Sequence, residues 1–186
     1  MLLPLRYYGD PVLRQKADAV VDIDDAIRRL ALDMIETMHA ERGVGLAAQQ
    51  VGRTVALCTV SVPVEMDVDE DGVREHPDRG MPMVLINPTI VDSSDEPWSM
   101  EEGCLSFPGI SAMIKRPRDI TVAYTQLDGT DVQARLTGYL SRVVQHEVDH
   151  LKGILFNDHM TPVKKAALSG RLKRLKKETL ADIETV

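Results

Sequence analysis

Hydrophobic residues recur at Ile27, Leu30, Ala31, Met34, Ile35 and Met38, the i, i+3, i+4 spacing of a helix that buries one face. Asp24 or Asp25 can cap its start and Gly43 stands where it should stop, which predicts a helix over about 25–41. The pattern then changes. Thr54–Val62 (TVALCTVSV) is continuous, apolar and rich in β-branched residues, as a buried strand is. Residues 64–82 are acidic and broken by Gly72, Pro77, Gly80 and Pro82, which predicts a solvated loop. Met83–Val91 reads as a further strand interrupted at Asn87-Pro88, and Ile120–Leu127 and Thr130–Leu136 flank Asp128-Gly129 as a hairpin. Helical spacing returns from about Gly138 to Leu151, where Gly153 can end the helix, and a last helix is expected over about 163–183. Strands joined in hairpins, with helices set apart from them along the chain, imply an α+β fold and exclude a parallel βαβ sheet.

The 186 residues suit one domain spanning 1–186, which at this size buries roughly 70% of the unfolded chain's surface without help from a metal or disulfide. The 44% hydrophobic and 27% charged residues are those of a globular chain. No stretch approaches about 18 consecutive apolar residues, and Met1–Arg6 lacks both a basic n-region and a long apolar run, so the expected compartment is the cytosol, with no membrane partner. Cys58 and Cys104 are too few for a disulfide framework and are expected to be unpaired. A net charge of −7 argues against DNA binding by the body. Charge is nonetheless uneven: residues 159–186 hold seven Lys/Arg against three Asp/Glu, a net of +4, which leaves −11 for residues 1–158. The expected last helix is therefore basic, either a solvated face balancing the acidic body or a contact to an anionic partner.

The helix predicted over 138–151 contains His146-Glu147-Val148-Asp149-His150. Imidazoles at i and i+4 share a face about 6 Å apart at Cβ and can reach one metal ion, while the Glu is offset by about 100° to the rim of the site. A catalytic site of this kind needs a third protein ligand. His39, His76, His159, the two cysteines and many carboxylates could supply it. His76 in the acidic loop and His39 on the polar side of the first helix are expected to be solvated, and Cys58 to be core. Cys104 is favoured because it follows Gly103, where backbone can approach closely, and lies outside any apolar run.

Three segments in this order, Gly43-Val44-Gly45-Leu46-Ala47-Ala48-Gln49-Gln50, Glu102-Gly103-Cys104-Leu105-Ser106 and Gln145-His146-Glu147-Val148-Asp149-His150, resemble the motifs of the peptide deformylases. With Gly9–Arg14 the likeness runs over roughly residues 9–160. It implies antiparallel strands packed around a central helix carrying HExxH, with an N-terminal and a C-terminal helix. It implies an enzyme that removes formyl from the N-terminal formyl-methionine of nascent polypeptides in the bacterial cytoplasm. The metal ligands would be Cys104, His146 and His150, with Glu147 as general base and acid, and the Leu105 N–H and the Gln50 amide holding the oxyanion. Ferrous iron is the metal the resemblance implies, with Zn²⁺, Ni²⁺ or Co²⁺ as substitutes. Helical spacing puts Tyr139, Arg142 and Val143 on the face of His146, so Val44, Gly45, Tyr139 and Val143 are candidates for the pocket of the Met side chain, although ordinary core packing explains any one of them as well. Arg142 is expected to carry its charge to the rim. Some deformylases are thought to contact the ribosome through basic tails, which makes the 163–183 helix a candidate for that role. A general HExxH metallopeptidase and a noncatalytic ribosome-binding module are the competing readings.

Overall fold

The computed structural model describes residues 1–185; residue 186, the last of the expected 1–186 span, lies outside the described residues. Seven strands and four helices follow one another as α1 (Asp25–Ala40), β1 (Gly45–Ala47), β2 (Leu57–Val60), β3 (Met83–Ser93), β4 (Pro97–Gly103), β5 (Ser111–Pro117), β6 (Ile120–Thr125), β7 (Asp131–Leu136), α2 (Gly138–Leu151), α3 (Pro162–Ala167) and α4 (Ser169–Glu184). One sheet has the order β1-β2-β3-β6-β7, and β4 and β5 form a separate hairpin. Every pairing between these strands is antiparallel, and one isolated parallel bridge joins Asp18 to Val55.

The five-stranded sheet is covered on both faces, and the period of two along its strands decides what each face meets. Leu46, Leu57 and Ile86 point to α1, where Ala31, Met34 and Met38 close a core. Ala47, Cys58 and Leu85 point the other way, to Leu140, Val143, Val144 and Val148 of α2. Cys58 is thus core, as expected. Asp24 caps α1 by accepting from the Ile27 N–H at 2.9 Å. The predicted break in β3 is a bulge at Asn87 (φ 51), and the Asn87 amide ties it to the Val20 backbone through two bonds of 2.8 Å.

The β4–β5 hairpin and the chain's C-terminal part share a third core. Phe107 sits edge-on to Phe156 at 4.8 Å and stacks on Tyr8 at 4.7 Å, with Ile114, Leu155, Leu168 and Leu172 around them. The single helix expected over 163–183 is two helices. The two helices divide at Leu168, whose side chain is buried in this core, just before the weak helix formers Ser169 and Gly170. Residues 64–82 also depart from a solvated loop. Asp67 and His76 are 2% and 8% exposed, and a bridge between Val68 and Arg74 folds the segment back on itself. Among the described residues no helix is long and apolar enough to cross a membrane.

Candidate metal centre and active site

α2 buries all but two of its fourteen residues, so its polar side chains face other elements instead of water. The end of β4 delivers Cys104 against it. Cys104, His146 and His150 each offer one donor atom, and these atoms lie within 4.8 Å of one another. Cys104 Sγ is 3.3 Å from His150 Nε2, and the two imidazole centroids are 5.0 Å apart. Donors bound tetrahedrally at about 2.0–2.3 Å stand roughly 3.3–3.6 Å from each other, so one thiolate and two imidazoles at this spacing fit a small divalent cation.

A carboxylate fixes the first imidazole. His146 Nδ1 lies 3.0 Å from Glu102 Oε2; because a carboxylate only accepts, Nδ1 carries the proton and Nε2 is left for the cluster. Glu102 is itself held by Arg116 (Nε 2.7 Å, Nη2 3.0 Å) and by Arg142 Nη1 at 2.6 Å. Burial alone would raise the Glu102 carboxyl, but the bonds from His146 and Arg116 outweigh it and hold the group far below the usual carboxylate range. Burial also disfavours charge on His146, yet Cys104 and Glu102 together push its pKa well above that of a free imidazole. For His150, burial and then the neighbouring His146 act in the same direction and lower it, which leaves a neutral nitrogen donor.

Glu147 is 3% exposed. Burial pushes its carboxyl up from 4.5 to about 7, and Oε2 has no hydrogen-bond partner among the described residues. A cation nearby would draw that value down. Gly45 makes room for it, since a Cβ at 45 would come within 2.8 Å of Glu147 Cδ. Gln50 Oε1 accepts from the Ala47 N–H at 2.8 Å, which turns Nε2 toward Cys104 Sγ at 3.4 Å and Ser106 Oγ at 3.2 Å.

These groups open on a cavity of about 480 Å³. Of the residues singled out from sequence, Val44, Gly45, Gln50, Cys104, Leu105, Tyr139, Arg142, Val143, His146 and Glu147 line it, and His150 Nε2 is 3.3 Å from Cys104 Sγ. Val44, Tyr139 and Val143 also pack against the α2 core, so lining and packing are one role here.

Two expectations are corrected. His76 is not solvated, because its ring is bonded to the buried Asp67 at 2.6 Å. Arg142 does not reach the rim: it is 2% exposed, donates to Glu102, the Ile114 carbonyl and the Trp98 carbonyl, and sits 4.7 Å from the Trp98 ring centre. His39 is exposed, and His159 bonds Asp149 at 2.8 Å, away from the cluster. Sequence reasoning gave no role to Glu102 or Arg116. Glu102 had a signal, a carboxylate two residues before the proposed ligand Cys104; Arg116 had none, since its partners come from β4 and α2.

Residues 2–166 match the polypeptide deformylase family. The chain belongs to that family. It is 42% identical over 185 residues to the peptide deformylase of Opitutus terrae, a match covering 97% of this chain and 96% of the other. Among solved structures, peptide deformylase from Ehrlichia chaffeensis superposes with a TM-score of 0.84 at 36% identity, covering 98% of this chain and 99% of that one. The same protein in complex with actinonin gives 0.81 at 36% identity, covering 95% and 97%. Membership makes the chain an enzyme of the peptide deformylase class, and the general metallopeptidase and noncatalytic readings are not favoured.

Proposed function

We propose that this deformylase removes the formyl group from the N-terminal formyl-methionine of newly synthesised polypeptides, releasing formate, with one divalent metal ion held by Cys104, His146 and His150. The observation that carries the reading is Glu147, a buried carboxylate without a partner at Oε2, beside a three-donor cluster at the wall of an open cavity. When bound, the cation supplies Lewis acidity toward water and the formyl carbonyl. Glu147 takes the proton from the attacking water and returns it to the leaving amine nitrogen. The Gln50 Nε2–H and the Leu105 N–H donate to the formyl oxygen as negative charge grows there, and loss of one such donor costs about 10²–10³ in rate. Ala47 makes Gln50 a donor at that point by occupying its oxygen. The carbon under attack bears only hydrogen, so a narrow approach admits formyl and rejects bulkier acyl groups. Val44, Gly45, Tyr139 and Val143 receive the Met side chain.

Ferrous iron is our proposal for the native metal, on the resemblance to bacterial deformylases; the donor set also suits Zn²⁺, Ni²⁺ and Co²⁺. We place the enzyme in the bacterial cytoplasm as a single catalytic domain. α4 presents Lys173, Arg174, Lys176 and Lys177 outward while Leu168 and Leu172 are buried, which supports a ribosome contact through this face. Actinonin, bound by the Ehrlichia chaffeensis protein, is proposed to occupy the same cavity.

The test is formate release from a formyl-Met peptide, run beside the acetylated and unblocked peptides after anaerobic purification with metal analysis. Formate from the formyl peptide alone supports the reading. Cleavage of internal bonds in the unblocked peptide would move the function to a general metallopeptidase.

A further inference from the structure

α2 starts without a cap of its own. The Thr137 side chain makes no bond to the first turn, and its hydroxyl donates instead to Asp119 Oδ1 at 2.7 Å. The Thr137 backbone N–H donates to His76 Nε2 at 3.2 Å, a partner 61 residues earlier in the chain. Asp67 Oδ1 lies 2.6 Å from His76 Nδ1. A carboxylate only accepts and a backbone N–H only donates, so Nδ1 carries the proton and Nε2 offers its lone pair to the helix.

Glu75 completes the contact. Its carboxylate lies against Gly138, where φ is +56 and a Cβ would come within 2.7 Å of Glu75 Cδ, so no side chain fits at 138. Glu75 Oε1 also lies 3.3 Å from Thr137 Oγ1, whose single proton goes to Asp119, and pairs with Arg118 Nη2 at 3.4 Å. Negative charge at a helix N-terminus opposes the partial positive charge of the unpaired N–H groups. The segment is held for this purpose by Asp67, which accepts from the His76 N–H at 3.2 Å and whose carbonyl accepts from the Glu75 N–H at 3.0 Å.

We propose that Glu75 and His76 are positioning residues for the deformylase: this acidic segment supplies the N-terminal cap of α2 from outside the helix and fixes the turns that present Tyr139 and Val143 to the cavity. The inference rests on the proposed role of those two residues in holding the substrate's Met side chain. His146 lies about 13 Å further along the helix at 1.5 Å per residue, in its third turn, so fraying that starts at the cap reaches Tyr139 and Val143 in the first two turns before it reaches His146. Loss of the cap therefore weakens substrate binding more than the chemical step.

Two variants of one residue separate the cap from the folding of the segment. Asn in His76→Asn can replace the Nδ1 donor to Asp67 but is too short to reach Thr137; Gln in His76→Gln places an acceptor where Nε2 stood. We expect His76→Asn to speed amide exchange at Thr137 and Gly138 about fivefold or more, and to raise KM for a formyl-Met peptide by about fivefold with kcat within twofold of the parent. His76→Gln should restore both. If His76→Asn does not fold, Glu75→Gln carries the test, with a smaller rise in KM in the same direction. Unchanged exchange and KM in His76→Asn, or in Glu75→Gln where that stands in for it, would overturn the proposal, as would loss of kcat at constant KM. The exchange measurement needs no activity, so a parent enzyme that releases no formate would count against the proposed function and leave the cap to be judged by exchange alone.

Discussion

Gly45 and Glu147 meet face to face: the glycine of β1 leaves only enough space for the buried carboxylate, whose Cδ would stand 2.8 Å from any Cβ at that position. Glu147 cannot be placed where it is unless residue 45 lacks a side chain.

Gly45→Ala should therefore displace the carboxylate without touching a metal donor. Metal content is expected to stay at the parent level, and kcat to fall by about 10–100-fold, the scale of an ångström's misplacement of a reacting group. Metal analysis beside steady-state kinetics checks it; a fall in metal content matching the fall in kcat would assign the loss to the cluster instead.

Glu102 orients His146 and neutralises Arg116 and Arg142 in a buried network. Glu102→Gln keeps the shape and removes the charge. Metal affinity is expected to fall about 10–100-fold, since the imidazole loses its charged acceptor. Stability should fall by about 3 kcal/mol or more because two buried guanidinium groups lose their shared counter-charge. A chelator competition titration and denaturant unfolding read the two effects separately.

The elements that follow a local rule were legible in the sequence. α1 has a capping Asp24 and an apolar stripe of six residues from Ile27 to Met38, β6 and β7 flank an Asp-Gly turn, and α2 follows helical spacing from Gly138 to Leu151. The β4–β5 hairpin was not legible. Its strands mix Ser99, Glu101, Lys115 and Arg116 with few apolar residues, and its buried charges, Glu102 and Arg116, are satisfied by each other and by Arg142, His146 and Asp149 of α2, which no window along the chain reveals. His76 and Arg142 were misjudged for the same reason: an ionisable side chain looks solvated until its distant partner, Asp67 or Glu102, is known. The candidate site was more legible than its support, because HExxH fixes two donors by helix geometry alone, whereas the Glu102–Arg116–Asp149 chain exists only in the folded molecule.

Arg14 and Asp158 join the early segment to the turn after α2, and the Leu155 N–H adds a bond of 3.0 Å to the same carboxylate. Burial raises the Asp158 pKa, but these bonds outweigh it and hold it below the usual 3.8. A depressed carboxyl stabilises the fold above its unfolded pKa and loses that contribution as pH falls through the folded value. Asp158→Asn should cost about 0.5–1 kcal/mol at pH 7, the range of a partly exposed pair, and the difference from the parent should fade below about pH 4. Denaturant unfolding at pH 7, 5 and 3 checks this; a constant difference across the three would deny the charge a role.

Replacing Lys173, Arg174, Lys176 and Lys177 of α4 with Gln removes four exposed positive charges, one of them paired with Glu178. Ribosome binding at about 50 mM salt is expected to weaken strongly, with a shallower salt dependence, because every phosphate that is no longer neutralised takes away a counterion-release contribution of slope about −0.7 to −0.9. Hydrolysis of a short formyl-Met peptide should be unchanged. Undiminished ribosome binding by this variant would leave the basic face as a solvated one.

We propose that Glu147 moves the proton in a centre whose metal is held by Cys104, His146 and His150, and the Glu147→Gln variant bears on both parts at once. The amide keeps the shape of the side chain and cannot accept a proton from water. Metal-loaded parent and variant are compared for formate release from a formyl-Met peptide, with bound metal quantified in the same samples. A variant with full metal content and formate release reduced by about 10²-fold or more is the expected result; near-parental release from a metal-loaded variant would contradict the account.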